Sequence, residues 1–201
     1  MCPDDLERYA PAVLPSSPPP DWSLDSVSLA ERLIGASLLV DGVGGVIVET
    51  EAYRADDAAS HSHRGPTRAN AAMFGPPGRA YVYRSYGVHW CLNFVCSDHD
   101  GSGVLIRALE PLWGLDVMAR RRGTAEPRLL CSGPGRLTQA LGVTYAHNGL
   151  PLEEPPFLVA SPQRPAAVAT CTRIGISREA HKPWRFLMEG SPFVSRPVRR
   201  T

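Results

Sequence analysis

Between Ser37 and Glu110 the chain consists of short segments rich in β-branched and aromatic residues, separated by glycine and proline signals and not by regularly spaced helices. These segments are Ser37 to Val40, Val46 to Glu51, Ala80 to Arg84, Gly87 to Cys96 and Gly103 to Glu110. Such composition favours strands. Phe157 to Ala160, Val168 to Ile176 and Trp184 to Met188 complete the strand expectation. Without a helix after each strand, the pattern points away from a doubly wound parallel sheet and towards a mixed α+β domain. Helices are expected near Asp25, where Ala30, Leu33 and Ile34 share helical spacing before Gly35, and at Leu112 to Arg122 before Gly123. Another is expected at Pro134 to Leu141, with Ser132 as its cap and Gly142 after it.

The chain divides simply into a proline-rich tail over residues 1–20 and one domain over residues 21–201. No run approaches the roughly 20 apolar residues that span a bilayer, and the first residues lack the order of a signal peptide, so no membrane partner and a cytoplasmic location are expected. Cys2, Cys91, Cys96, Cys131 and Cys171 form neither a CxxC pair nor a secreted disulfide framework, and read as reduced thiols. With a formal net charge of +1, any nucleic-acid contact must come from local basic groups. Lys182 is the only lysine, which disfavours Schiff-base chemistry; the other basic residues are arginines, whose planar fork suits phosphates and base edges.

Three clusters could carry chemistry. In Glu49-Thr50-Glu51-Ala52-Tyr53, strand alternation places Ile47, Glu49 and Glu51 on one face and Val46, Val48 and Thr50 on the other. A free glutamate titrates near a pKa of about 4.3, so either acid could take a proton from water; alternation does not choose between them. From Tyr81 to Asn93, Tyr81 and Tyr83 share one strand face, and His89, Cys91 and Asn93 share one face of the next segment. Three tyrosines, a tryptophan, an arginine and an asparagine there combine stacking surfaces with hydrogen-bonding groups, as a flat heteroaromatic ligand would need. His61 and His63 stand in the long polar stretch from Arg54 to Arg79, a length that in compact domains is usually functional or disordered. As metal ligands they lack an evident third partner. Ser132-Gly133-Pro134-Gly135-Arg136 matches neither a phosphate loop nor a nucleophile elbow, and as a helix start it could meet a phosphate.

In order, these elements resemble the alkyladenine (3-methyladenine) DNA glycosylase family over about Leu33 to Ser195. The resemblance is carried by Val48-Glu49-Thr50-Glu51-Ala52-Tyr53, Ser60-His61, Arg68 to Pro77, Tyr81-Val82-Tyr83 with Tyr86-Gly87, and Asn93. Leu105 to Pro111, Cys131-Ser132-Gly133-Pro134 and Lys182-Pro183-Trp184-Arg185-Phe186 extend it. It implies a single compact domain on a curved, mainly antiparallel sheet flanked by helices, acting as a monomer without metal or cofactor on double-stranded DNA that contains damaged purines. It further implies that Glu51 is the general base, with Glu49 a supporting strand residue. Tyr53, His61 and Tyr83 would enclose the extruded base, Asn93 would help reject normal guanine, Arg107 would stand near the water and sugar, and Tyr86 would intercalate. Arg84 and Ser85 depart from the apolar residues commoner at those positions.

The chemistry agrees with that resemblance. Attack at C1′ requires the nucleotide to leave the stack, which costs a few kcal/mol, and a wedge such as Tyr86 offsets part of that. Alkylation at N3 or N7 makes the purine a cation and a good leaving group, and a tyrosine face attracts it by about 1–2 kcal/mol. Water activated by Glu51 would release the base and leave an abasic site, the first step of base excision repair. Two other readings use the same residues: a metal-dependent hydrolase built on His61, His63 and an acid, and a damaged-DNA binder without catalysis.

Overall fold

The computed structural model describes residues 14–96 and 101–196. Helix α1 (Ser26–Arg32) starts where expected: the Asp25 carboxylate accepts from the Val27 and Ser28 backbone N–H groups, at 3.0 and 2.9 Å, supplying the cap that the first turn lacks. Strand β1 (Ser37–Val40) turns into β2 (Val43–Tyr53) through Asp41 and Gly42, with φ of 49° and 76°. Two successive left-handed residues give the turn whose twist matches a two-residue hairpin. Strand β3 (Ala80–Ser85) and β4 (His89–Val95) form a second hairpin, and β5 (Gly103–Trp113) is the other long strand. Helices α2 (Leu115–Arg122), α3 (Pro127–Leu130) and α4 (Pro134–Leu141) follow, then β6 (Phe157–Ala160), β7 (Val168–Cys171) and β8 (Arg185–Met188).

Among the described residues eight strands make one antiparallel sheet, ordered β3-β4-β5-β2-β1-β6, with β8 bridging β2 and β7. Strand β2 is its centre. One edge of β2 pairs with β5 throughout; the other pairs first with β1 and then, from Glu49 to Glu51, with β8. The main core joins α1, the inner sheet face and α4 through Leu29, Leu33, Ile47, Leu92, Ile106 and Leu137. The result is the expected α+β domain on a curled antiparallel sheet. Among the described residues no helix is long and apolar enough to cross a membrane.

Several boundaries differ from the sequence expectation. Strand β5 runs on to Trp113, which pairs with Gly44, so α2 begins at Leu115 after Gly114 adopts φ of 72°. Helix α4 has the expected span, but Gly133 and not Ser132 is its N-cap, and no side chain caps it; the Ser132 hydroxyl instead accepts from Arg136 at 3.0 Å. Strand β7 ends at Cys171, because Arg173 and Ile174 turn away to serve the site described below. Most of the proline-rich tail lies outside the described residues, as does Cys2; within them, the Pro18 carbonyl accepts from Ser161 N at 2.8 Å. Among the described residues Cys91, Cys96, Cys131 and Cys171 take part in no disulfide.

Candidate active site

The simple alternation expected along β2 fails at Val48. Ile47 pairs with Leu109 and Glu49 with Ala108, leaving Val48 as an extra residue; Glu49 then pairs with Ala108 and Thr50 with Ile106, leaving Arg107 extra on β5. These two facing bulges change which side of the sheet the chain presents. Ile47 belongs to the main core, not to the face of the glutamates, while Val48 packs with Ala108 and Phe193 in a separate small cluster. Beyond the bulge, Thr50 and Ala52 return to the core side, where the Thr50 hydroxyl donates to Ala30 O at 2.8 Å. Bulges re-aim side chains. Here they bring Glu49, Glu51 and Arg107 together with no water-accessible surface on either acid.

The two acids have different surroundings. Glu49 Oε1 accepts from Arg107 Nε at 2.9 Å, Arg185 Nε at 2.7 Å and Ser195 Oγ at 2.8 Å, and Oε2 accepts from Ser195 N. Burial acts most strongly to raise its proton affinity, but the two guanidiniums and the Ser195 donors outweigh it and hold the carboxyl below the ordinary range. Glu51 Oε1 accepts from Ile174 N at 2.7 Å and meets Arg107 Nη1 at 3.2 Å; Oε2 accepts from the Tyr53 hydroxyl at 2.8 Å. For Glu51, burial prevails over those three neighbours, and its carboxyl is pushed above the ordinary glutamate range. Environment thus separates two acids that alternation left equivalent.

Beside Glu51 opens a cavity of about 670 Å³, lined by Tyr53, His61, Tyr83, Asn93, Arg107 and Tyr86 among others. The β3–β4 register puts Tyr81 opposite Asn93 and Tyr83 opposite Cys91, so the polar and aromatic residues of the hairpin face the cavity while Val82 and Leu92 enter the core. Tyr81 and Tyr83 stack at 5.5 Å, and the His61 ring meets Tyr83 edge-on at 4.3 Å. His61 Nδ1 lies 3.0 Å from the Tyr81 hydroxyl, and its backbone carbonyl is held by Asn70 Nδ2 at 2.8 Å. Desolvation keeps its imidazolium below the usual histidine range, so His61 is neutral at pH 7. Burial raises the Tyr81 phenol to about 12 and those of Tyr53 and Tyr83 further, so all three are neutral donors. Asn93 is buried, its amide donating to Tyr81 O at 3.1 Å.

Tyr86 stands apart from these packed rings. It is 87% exposed at the tip of the hairpin, with φ of 49°, beside Val88 at 75% exposure. Arg84 turns its guanidinium over the Trp90 ring at 5.7 Å. Lys182 lies 4.4 Å over the Trp184 ring and 3.1 Å from Glu179, and does not line the cavity.

Several contributors carried no clear sequence signal. Ile174 acts through its backbone N–H, which any non-proline residue could supply. Arg173, paired with Asp57 and donating to Ala52 O at 3.0 Å, places its guanidinium 4.7 Å over Tyr53 and 5.2 Å over Trp184, so one face of Tyr53 already carries a cation. Arg185 lay within a recognisable run, yet its partner Glu49 is 136 residues away in sequence. Among the described residues no three histidine, cysteine, aspartate or glutamate side chains converge as metal ligands; His61 and His63 are both exposed, and the His61 ring turns to Tyr81.

Fold and site together give a cavity with aromatic walls and a buried carboxylate next to its lining. Comparison with known proteins gives the family: the model for methylpurine-DNA glycosylase matches residues 21–192, and the chain belongs to that family. A relative from Nitrosospira multiformis, named as a candidate 3-methyladenine DNA glycosylase, is 60% identical over 92% of this chain and 96% of its own length. Relatives of the same name from Nitrobacter winogradskyi and Agrobacterium fabrum are 60% and 55% identical, covering 85% and 90% of this chain and 83% and 93% of their own.

Proposed function

We propose that the chain is a monofunctional 3-methyladenine DNA glycosylase in which Glu51 activates the attacking water. The observation that carries this reading is the setting of Glu51: without solvent exposure, raised in proton affinity, and beside an aromatic-walled cavity. A carboxylate offers about four acceptor directions. Among the described residues Ile174 N and Arg107 use Oε1 and the Tyr53 hydroxyl uses one direction of Oε2, which leaves Oε2 a second acceptor direction. Glu51 has no solvent-exposed surface and meets the cavity through Tyr53, Arg107 and Ile174, so on this reading the attacking water reaches it only once the nucleotide is bound.

Water bound there gives its proton to Glu51 as its oxygen attacks C1′ and the C1′–N bond breaks. The electron pair of that bond leaves with the purine, whose alkylation charge it neutralises. The carboxylate also stabilises the oxocarbenium-like centre electrostatically. The products are a free base and an abasic site. Tyr53, His61 and Tyr83 enclose the base, and a neutral His61 adds no charge to repel a cationic purine. Since Arg173 occupies one face of Tyr53, the cation attraction falls more on Tyr83. Asn93, fixed through Tyr81 O, stands where it can reject the guanine amino group; Tyr86 fills the gap left in the stack. The enzyme acts as a cytoplasmic monomer on double-stranded DNA, without metal or cofactor.

A base-release assay tests this reading on duplexes carrying single 3-methyladenine, 7-methylguanine, hypoxanthine or ethenoadenine lesions, with enzyme in excess and a chelator present. Free base and an abasic site are expected from the cationic alkylpurines. Tight binding with no release would instead assign the chain to damage binding, and release abolished by the chelator would assign it to metal-dependent hydrolysis.

A further inference from the structure

The proposed chemistry makes no use of Glu49, yet this buried acid receives four donor contacts from β5, β8 and the C-terminal segment. Arg107 is held on three sides: Nε on Glu49, Nη2 on Ser195 Oγ at 3.4 Å, and Nη1 on Glu51 at 3.2 Å. Its Nε–H thus points to one acid while a single terminal nitrogen reaches the other. Arginine and a carboxylate otherwise favour a two-pronged pair. Arg107 released from Glu49 could turn that face onto Glu51, and the closer pair would weaken Glu51 as a base.

We infer that Glu49 is a positioning residue: by anchoring Arg107 and Ser195, it restricts Arg107 to one-nitrogen contact with Glu51 and keeps Glu51 a proton acceptor. This rests on Glu51 being the general base. Glu51 is faced by Glu49 and Tyr53 from β2, Arg107 from β5, Arg185 opposite it in β8, Cys91 from β4, Cys171 from β7 and Ile174 N from the β7–β8 connection. The negative charge of Glu49 raises the proton affinity of Glu51, and Arg107 lowers it. Loss of the Glu49 charge and rotation of Arg107 therefore act in the same direction.

The test is the pH profile of single-turnover base release for wild type, Glu49→Gln and Glu49→Asp. For Glu49→Gln the acid limb moves to lower pH, and the plateau rate falls roughly tenfold to a hundredfold as the base weakens and the site loses its geometry. Glu49→Asp returns the limb towards wild type. Carbon-13 titration of the Glu51 carboxyl shows the same downward movement in Glu49→Gln without relying on turnover. Should Glu49→Gln not fold, the double variant Glu49→Gln/Arg185→Gln removes one charge of each sign and is expected to show the same movement. A lower melting temperature with the acid limb and the Glu51 titration unmoved would make Glu49 merely structural and overturn the inference. An active Glu51→Gln enzyme would instead overturn the base assignment on which it rests.

Discussion

Glu49 and Glu51 stand two positions apart on one strand, both without solvent exposure, and their proton affinities move in opposite directions. The difference is one of charge: two guanidiniums and Ser195 serve Glu49, while Glu51 has one guanidinium beside the neutral donors Ile174 N and Tyr53, and there burial prevails. A general base works only when ionised, so activity is present above its folded-state value and lost as pH falls through it. With that value raised, the acid limb of base release is expected above the ordinary glutamate range; a limb at or below it would contradict the assignment. Tyr86 supplies a second test at this scale. Because its ring is 87% exposed, Tyr86→Ala should leave the melting temperature unchanged. Base release from duplex DNA should fall roughly tenfold or more as the wedge is lost, and release from single strands far less.

At the scale of elements, the paired bulges of β2 and β5 build the site. The shared face of Glu49 and Glu51 and the Tyr81–Asn93 hairpin faces were legible in the sequence because period-two alternation holds locally there, whereas only the family resemblance singled out Glu51 and Tyr53. Ile47 was misplaced because a bulge inserts one residue without a turn signal, and Val48 and Arg107 look like ordinary strand residues. The resemblance implied that Arg107 stands near the water and sugar, but its grip on both acids depends on the bulge and was not legible. Helix α1 was readable from its apolar spacing and Gly35, and α4 from Pro134 and Gly142, while the cap expected at Ser132 was wrong. The Arg173 support behind Tyr53 was not, since it joins β2, the Asp57 loop and the β7–β8 connection through contacts more than 100 residues apart. The β2–β5 pairing has its own test. A Cβ at Gly45 would lie 1.9 Å from Glu110 O, and no flexible side chain can yield there. Gly45→Ala should therefore destabilise the fold by about 3 kcal/mol, the upper range for overpacking, read as a lower denaturant midpoint; an unchanged midpoint would mean the two strands are not so closely paired.

Across the whole molecule, the cavity is assembled from distant parts of the chain: the ends of β2 and β5, the β3–β4 hairpin, the loop carrying His61, the β7–β8 connection and, through Arg196, the C-terminal segment. Ser195 and Phe193 bind that segment beneath the site, against Glu49 and beside Val48. The net charge of +1 gives little general attraction to DNA, so under the proposed function affinity is expected to rest on local groups such as Arg84 and Arg196 at the cavity and the exposed hairpin tip. On that reading binding and chemistry fall to separate side chains, and substitution is expected to separate them. The direct measurement is single-turnover release of 3-methyladenine from alkylated duplex DNA by wild type and Glu51→Gln, with affinity for the same duplex measured in parallel. Loss of general-base catalysis, about 100-fold to 10,000-fold, with affinity retained, is the expected result. Release by Glu51→Gln at the wild-type rate would contradict the assignment of Glu51 as the base.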